Sequence, residues 1–296
     1  MNIVLPSQDA PPEHLREALM ARADDLAMLP SVAMEALQLV KRPDCTSQEF
    51  AAVVERDVKL ATDFIALANC VVFGGGAVVT NLRQAIVRLG FRQCQNLILT
   101  SSAASLMRSM PLAQEWAREV LWKHSFTTAT TCSHLNRALN LGFCGEEFTA
   151  GLLHDFGRLL LALAAPELQP AADPLDFVES ADTFARELEV LGTDHCLFGA
   201  WFATENGIPP ALVEVIRYHH EPLHAQIAPK LTLLVAAADH MANHLQVYEE
   251  PEGYVLAENT AIQQLAKFEV ENVGQSFSDI AFTLMEEVLK DVESYE

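Results

Sequence analysis

The amino-acid sequence predicts an all-α protein, a bundle of many helices, and three observations carry that expectation. Apolar residues recur at helical spacing along almost the whole chain. No alternating apolar and polar run lasts more than a few residues, so strands have no support. Helix punctuation is frequent: capping residues, glycines beyond helix ends, and prolines between periodic stretches.

The elements follow in order. After Pro6, Pro11 and Pro12, residues 13–26 read as a first helix and residues 31–41 as a second, with Val32, Leu37 and Val40 apolar. Arg42-Pro43-Asp44 interrupts the pattern. Thr46-Ser47-Gln48-Glu49 has capping-box spacing and opens a third helix through residue 56. Residues 60–72 form a fourth. Gly74-Gly75-Gly76 marks a helix stop or loose turn; with no Gly-Lys-Ser/Thr after it, it is not a phosphate loop. A short helix over 81–89 ends at Gly90 as a C-cap, and another runs over 91–107. A long helix is expected over 112–140, then one helix over 146–164. Pro166, Pro170 and Pro174 make an irregular connection. Helices over 175–190, 195–206, 211–220, 231–246, 259–268 and 277–292 complete the chain.

Composition narrows the function. The 296 residues are half hydrophobic, yet no apolar run approaches the ~20 residues of a membrane span. Residues 1–13 show no signal-peptide pattern. Six scattered cysteines without a Cys-x-x-Cys pair fit reduced, mostly buried thiols, so a cytoplasmic location is expected. Nineteen basic against forty acidic side chains give a net charge of −21, which argues against nucleic acid and anionic membranes as partners.

The chemistry centres on Gly151-Leu152-Leu153-His154-Asp155-Phe156-Gly157-Arg158. Here a histidine and an aspartate interrupt an apolar run, where they must find hydrogen bonds or a metal. Gly151 and Gly157 remove bulk on either side. Other polar residues fall on apolar faces. Trp116, Val120 and His124 share a stripe, and His195 lies with Phe198, Gly199 and Phe202. Leu212, Ile216 and His220 form a third set, with His219 beside it; Leu231, Val235 and Asp239 form a fourth. Any one of these alone is more often a core residue bonded to the backbone, the reading given to His14, His134, His224, His240 and His244. The set of His124, His154, Asp155, His195, His219, His220 and Asp239 is different. Five helices would each contribute ligand types suited to one or two divalent ions, Zn, Fe or Mn.

The order of these residues resembles the HD superfamily of metal-dependent phosphohydrolases: His124, then His154-Asp155, then a distant Asp239. His195 and His219-His220 resemble the added histidines of its HD-GYP branch. The chain is more similar still to the HDOD family, the HD-related output domain of bacterial signalling proteins. That similarity rests on residues 29–69, on Asn81-Leu82-Arg83-Gln84-Ala85-Ile86-Val87-Arg88-Leu89-Gly90, and on Tyr218-His219-His220-Glu221-Pro222. It implies an HD-like bundle with an N-terminal helical subdomain packed on it. The expected division is an extension over 1–22, an HDOD domain over 23–225 (23–111 N-terminal, 112–225 HD-like), and completing helices over 226–296.

Departures from the catalytic relatives matter. Arg158 stands where HD-GYP enzymes have a lysine, Pro222-Leu223-His224 replaces the Gly-Tyr-Pro loop, and Val120 sits where some relatives supply a glutamate ligand. The resemblance therefore implies a regulatory module, non-catalytic, with a His/Asp metal site and an unidentified protein partner. No receiver or sensor pattern accompanies it, so an input would come from another molecule. The alternative is a metal-dependent phosphodiesterase or phosphohydrolase, in which Asp155 would be central and Arg158 would contact phosphate. A di-iron oxygenase ranks below both.

Overall fold

The computed structural model describes residues 10–22, 31–69, 78–177, 181–268 and 273–294. Among these every regular element is helical and there is no strand, as the periodicity requires. No helix among them is long and apolar enough to cross a membrane. The residues sort into two compact units, one drawn from 27–106 with 144–146, the other from 1–26, 107–143 and 147–296.

In the smaller unit, α2 (Ser31–Val40), α3 (Ser47–Val54), α4 (Val58–Asn69) and the first part of α5 (Leu82–Ser109) surround Phe50 and Phe64, both fully buried. The expected capping box is formed. Glu49 N–H donates to Thr46 Oγ1 at 3.2 Å, and Thr46 N–H donates to the Glu49 carboxylate at 3.0 Å. Gly90, at φ 75° and ψ 159°, breaks α5 where the sequence places a C-cap. Those dihedrals belong to a region open essentially to glycine alone. The Gly74–Gly76 turn, and the ends expected for the first and fourth helices, lie outside the described residues.

The larger unit holds α1 (Glu13–Arg22), α6 (Glu115–Ala138), α7 (Glu146–Leu153), α8 (Phe156–Ala164), α9 (Gln169–Ala172), α10 (Ala181–Leu191), α11 (His195–Glu205), α12 (Pro210–Tyr218), α13 (Pro229–Tyr248), α14 (Thr260–Gln264) and α15 (Val273–Glu293). Helix α6 is its axis and packs against α13 and α15, while α11 lies between α8 and α12. Four threonines of α6 turn inward (Thr127, Thr128, Thr130 and Thr131). Each hydroxyl donates to the carbonyl four residues back, at 2.8–3.0 Å, which removes the cost of burying it.

Three expectations need correction. The helix over 146–164 is two helices, interrupted at His154-Asp155. Asp155 adopts φ −96° and ψ 12°, so the two side chains are freed from the ~100° divergence of helical neighbours. The helix expected over 175–190 does not include residues 175–177, and the described helix is Ala181–Leu191. Leu175 and Phe177 have φ of 56° and 52°, and Asp173 draws the Leu175 N–H into a turn at 3.0 Å. The stripe assigned to His124 also shifts. Trp116 is half exposed, and the buried face runs through Ala117, Leu121, His124 and Thr128. Eight residues advance a helix by roughly 800°, about 80° past two whole turns, so positions i and i+8 part company.

Candidate metal centre

Two glycines bring the centre together. A Cβ on Gly151 would lie 2.8 Å from Ala129 Cα, so only glycine lets α7 approach α6 this closely, with His154 beside His124. A Cβ on Gly157 would lie 1.9 Å from the His195 carbonyl oxygen, so α8 meets α11 backbone to backbone, with Asp155 beside His195. The His-Asp break sits between these contacts.

His124 Nε2, His154 Nε2 and Asp239 Oδ1 form a tight triangle. The two nitrogens are 3.3 Å apart, and the oxygen is 3.0 Å from the first and 3.3 Å from the second. Asp155 faces this triangle with Oδ2, 3.6 Å from His124 and 3.7 Å from His154. Its other oxygen faces a second group: Oδ1 is 3.5 Å from His195 Nε2 and 3.4 Å from His219 Nε2. His195, Cys196, His219 and His220 bring one donor atom each within 4.8 Å of the other three. The structure thus brings together all seven candidate donors named from the sequence, with Cys196 beside them. His220 is the least buried; its ring meets those of His195, His219 and Phe184 at 5.3, 4.1 and 4.9 Å.

The rings are aimed from behind. His154 Nδ1–H donates to the Gly151 carbonyl at 2.7 Å, and His219 Nδ1–H to that of Ile216 at 3.1 Å. His195 Nδ1–H donates to Glu187 at 2.9 Å. Each contact turns Nε2 inward and sets the tautomer, as second partners of ligand histidines do. Asp194 caps α11 by accepting from Leu197 N–H at 2.7 Å, which seats His195 on its first turn.

Arg158 serves Asp155. Its Nη1 donates to Asp155 Oδ2 at 2.8 Å, while Nε and Nη2 grip Asp173 at 2.8 and 2.9 Å. Its guanidinium lies 4.6 Å from the Phe177 ring, which also flanks His124 at 4.5 Å. Glu187, Asp173 and Cys196 escaped the sequence reading because only tertiary packing brings them here. Asn243 was legible: it is one turn beyond Asp239 and donates to it at 3.2 Å.

Electrostatics match this wiring. Burial raises the Asp155 and Asp239 carboxyls, but the surrounding imidazoles, and Arg158 for Asp155, hold both well below the usual range. Burial lowers His195 and His219, yet Cys196 with Glu187 for the first, and Cys196 with Asp155 for the second, push both well above the usual value. Burial prevails at His124 and His220, which are lowered.

The residues fit a metal. His195 Nε2 is buried without a hydrogen bond, and the triangle's spacings match a four-coordinate zinc site, whose ~2.0–2.1 Å bonds separate donors by roughly 3.3 Å. A cavity of about 560 Å³ opens on Asp155, His195 and Asp239.

An all-α bundle with a buried His/Asp cluster at a broken helix defines an HD-type helical protein. Comparison with known proteins narrows the class. The HDOD domain family matches residues 26–222, two-thirds of the chain, and the chain belongs to that family. The fold is similar to an HDOD domain protein of unknown function from Geobacter sulfurreducens, at 20% identity and a TM-score of 0.69, covering 95% of this chain and 96% of that one. It is also similar to a Shewanella amazonensis protein proposed to be a phosphohydrolase, at 26% identity and a TM-score of 0.63, covering 93% and 98%. An uncharacterised protein of Treponema pallidum is 26% identical over 212 residues, which are 71% of this chain and 40% of that relative's length.

Proposed function

We propose that this chain is a regulatory module of bacterial signal transduction, non-catalytic, whose HD-like half holds divalent metal on His124, His154, Asp155, His195, His219, His220 and Asp239. The observation that carries the metal reading is the pair of Asp155 oxygens, one turned to each donor group at 3.4–3.7 Å. A carboxylate so placed can serve two positions. A bound divalent ion, Zn, Fe or Mn, would supply concentrated positive charge and cross-link five helices. The residues themselves do the rest: Arg158 and Asp173 fix Asp155, Glu187 fixes His195, and Asn243 fixes Asp239.

Family membership supports the signalling role. The acidic composition argues against nucleic acid and anionic membranes as partners, which leaves a protein partner, and the scattered cysteines without a Cys-x-x-Cys pair favour the cytoplasm. Elemental analysis of the purified chain tests the metal reading, with one to two moles of divalent metal per chain expected. A metal-loaded sample whose melting is unmoved by chelator would sink it.

A second reading, a metal-dependent phosphohydrolase or phosphodiesterase, has a specific observation in its favour: the 560 Å³ cavity bordering Asp155. The relative at 26% identity points the same way. Against it, Arg158 is committed to Asp155 and Asp173, so it could contact phosphate only by giving up bonds that hold the site. Turnover of cyclic dinucleotides or simple phosphodiesters, abolished by Asp155→Ala, would establish this reading; inactivity of the metal-loaded chain leaves the regulatory one.

A further inference from the structure

We propose that Cys196 is a ligand in this centre, and that its sulfur makes the position shared with His195, His219 and His220 selective for zinc-like, thiophilic ions. The proposal rests on the metal-binding reading above and goes beyond it in naming a donor and a selectivity.

The geometry is that of a ligand. Cys196 is 2% exposed, on the first turn of α11 beside His195. Its Sγ is 3.8 Å from His219 Nδ1 and 3.9 Å from Nε2. Zinc bonds of ~2.3 Å to sulfur and ~2.0–2.1 Å to nitrogen in a tetrahedron put the two donors roughly 3.6 Å apart. Because Nδ1 is bonded to the Ile216 carbonyl, Nε2 is the nitrogen that would share an ion, and its 3.9 Å lies a few tenths of an ångström beyond that edge. A second observation is that His195 Nε2 is buried without a hydrogen bond, facing Asp155 Oδ1 at 3.5 Å. A cysteine serving only as a small core residue would not require three imidazoles around it.

The consequence follows from coordination chemistry. Thiolate favours Zn over Mn or Mg, whereas an all-His/Asp position accepts several of these ions. Cys196, the three imidazoles and Asp155 Oδ1 supply as many protein donors as a structural zinc position needs, where catalytic positions keep fewer protein ligands and a bound water. Cys196 therefore ties the second position to holding α11 and α12 together.

The test uses the full chain, stripped of metal and titrated with Co(II). In the wild type a sulfur-to-cobalt charge-transfer band should grow in the near ultraviolet and saturate at one equivalent. Cys196→Ser, which keeps the other five cysteines, should lose that band while binding cobalt elsewhere and retaining its helical circular dichroism. Its preference for Zn over Mn in competitive dialysis should fall at least about tenfold, the scale of a perturbed metal site. Should the variant fail to fold, cadmium-113 NMR of the wild type decides alone: a resonance in the sulfur-ligated range supports the proposal, and only nitrogen- and oxygen-ligated positions overturn it. Cobalt uptake without the band overturns Cys196 as a ligand and leaves the His/Asp centre standing. No uptake of any ion overturns both.

Discussion

Gly157→Ala is the sharpest test of how the centre is built. The added Cβ would sit 1.9 Å from the His195 carbonyl oxygen and 2.7 Å from its carbon, and the Gly199 amide nitrogen is 3.1 Å away. Ordinary contact begins at 3.4 Å, so α8 and α11 must part by about 1.5 Å in a close-packed interior. Both obstacles are backbone, so no side-chain rotation relieves them. Overpacking costs ~1–3 kcal/mol, and this substitution belongs at about 3 kcal/mol or above. The displaced residue is His195 itself, and ligand positions tolerate only ~0.5 Å of error, so metal affinity should fall with stability. Urea unfolding with and without metal measures both. Gly90→Ala is the control: no atom lies within 4 Å of its Cβ, but φ is +75°, so a cost of ~1–3 kcal/mol comes from backbone strain alone and metal binding is untouched. If Gly157→Ala lost less than about 0.5 kcal/mol and bound metal as before, the backbone contact between α8 and α11 would be wrong.

Further outcomes follow from the same geometry. Glu187→Ala leaves the His195 Nδ1–H and backbone N–H without their acceptor, and calorimetry should show metal affinity about 10–100-fold weaker. Chelation of the loaded protein should lower its stability by ~2.7 kcal/mol where free metal had stood at a hundredfold excess over Kd, read as a drop in melting temperature. Asp173, raised by burial but held low by Arg158, has a folded pKa below its unfolded value of ~3.9. Its stabilisation is therefore complete above about pH 4 and is lost as pH falls toward the folded value, so acid unfolding of Asp173→Asn should lack that component. Arg158→Lys keeps the charge but loses the paired grip on Asp173, and it should weaken metal retention without changing the helical spectrum.

What the residue order determined by itself was the helical class, most helix positions, the capping box at Thr46 and which seven His and Asp side chains are candidates to meet. All of these are local or periodic properties. Thr46 and Glu49 are three residues apart, and Val235 and Asp239 lie one turn apart on one helix face. Tertiary structure decided the rest. The break at His154-Asp155 is invisible to periodicity, because Leu152, Leu153 and Leu159 to Leu161 read as one apolar helix. It lies between the close approaches of α6 at Gly151 and of α11 at Gly157, contacts that only packing reveals. Glu187 reaches His195, and Asp173 reaches Arg158, across loops whose folding no local pattern encodes. Cys196 acquires its neighbours only when α11 and α12 pack. Spacing along one helix sets which residues point the same way; only packing between helices sets what they point at.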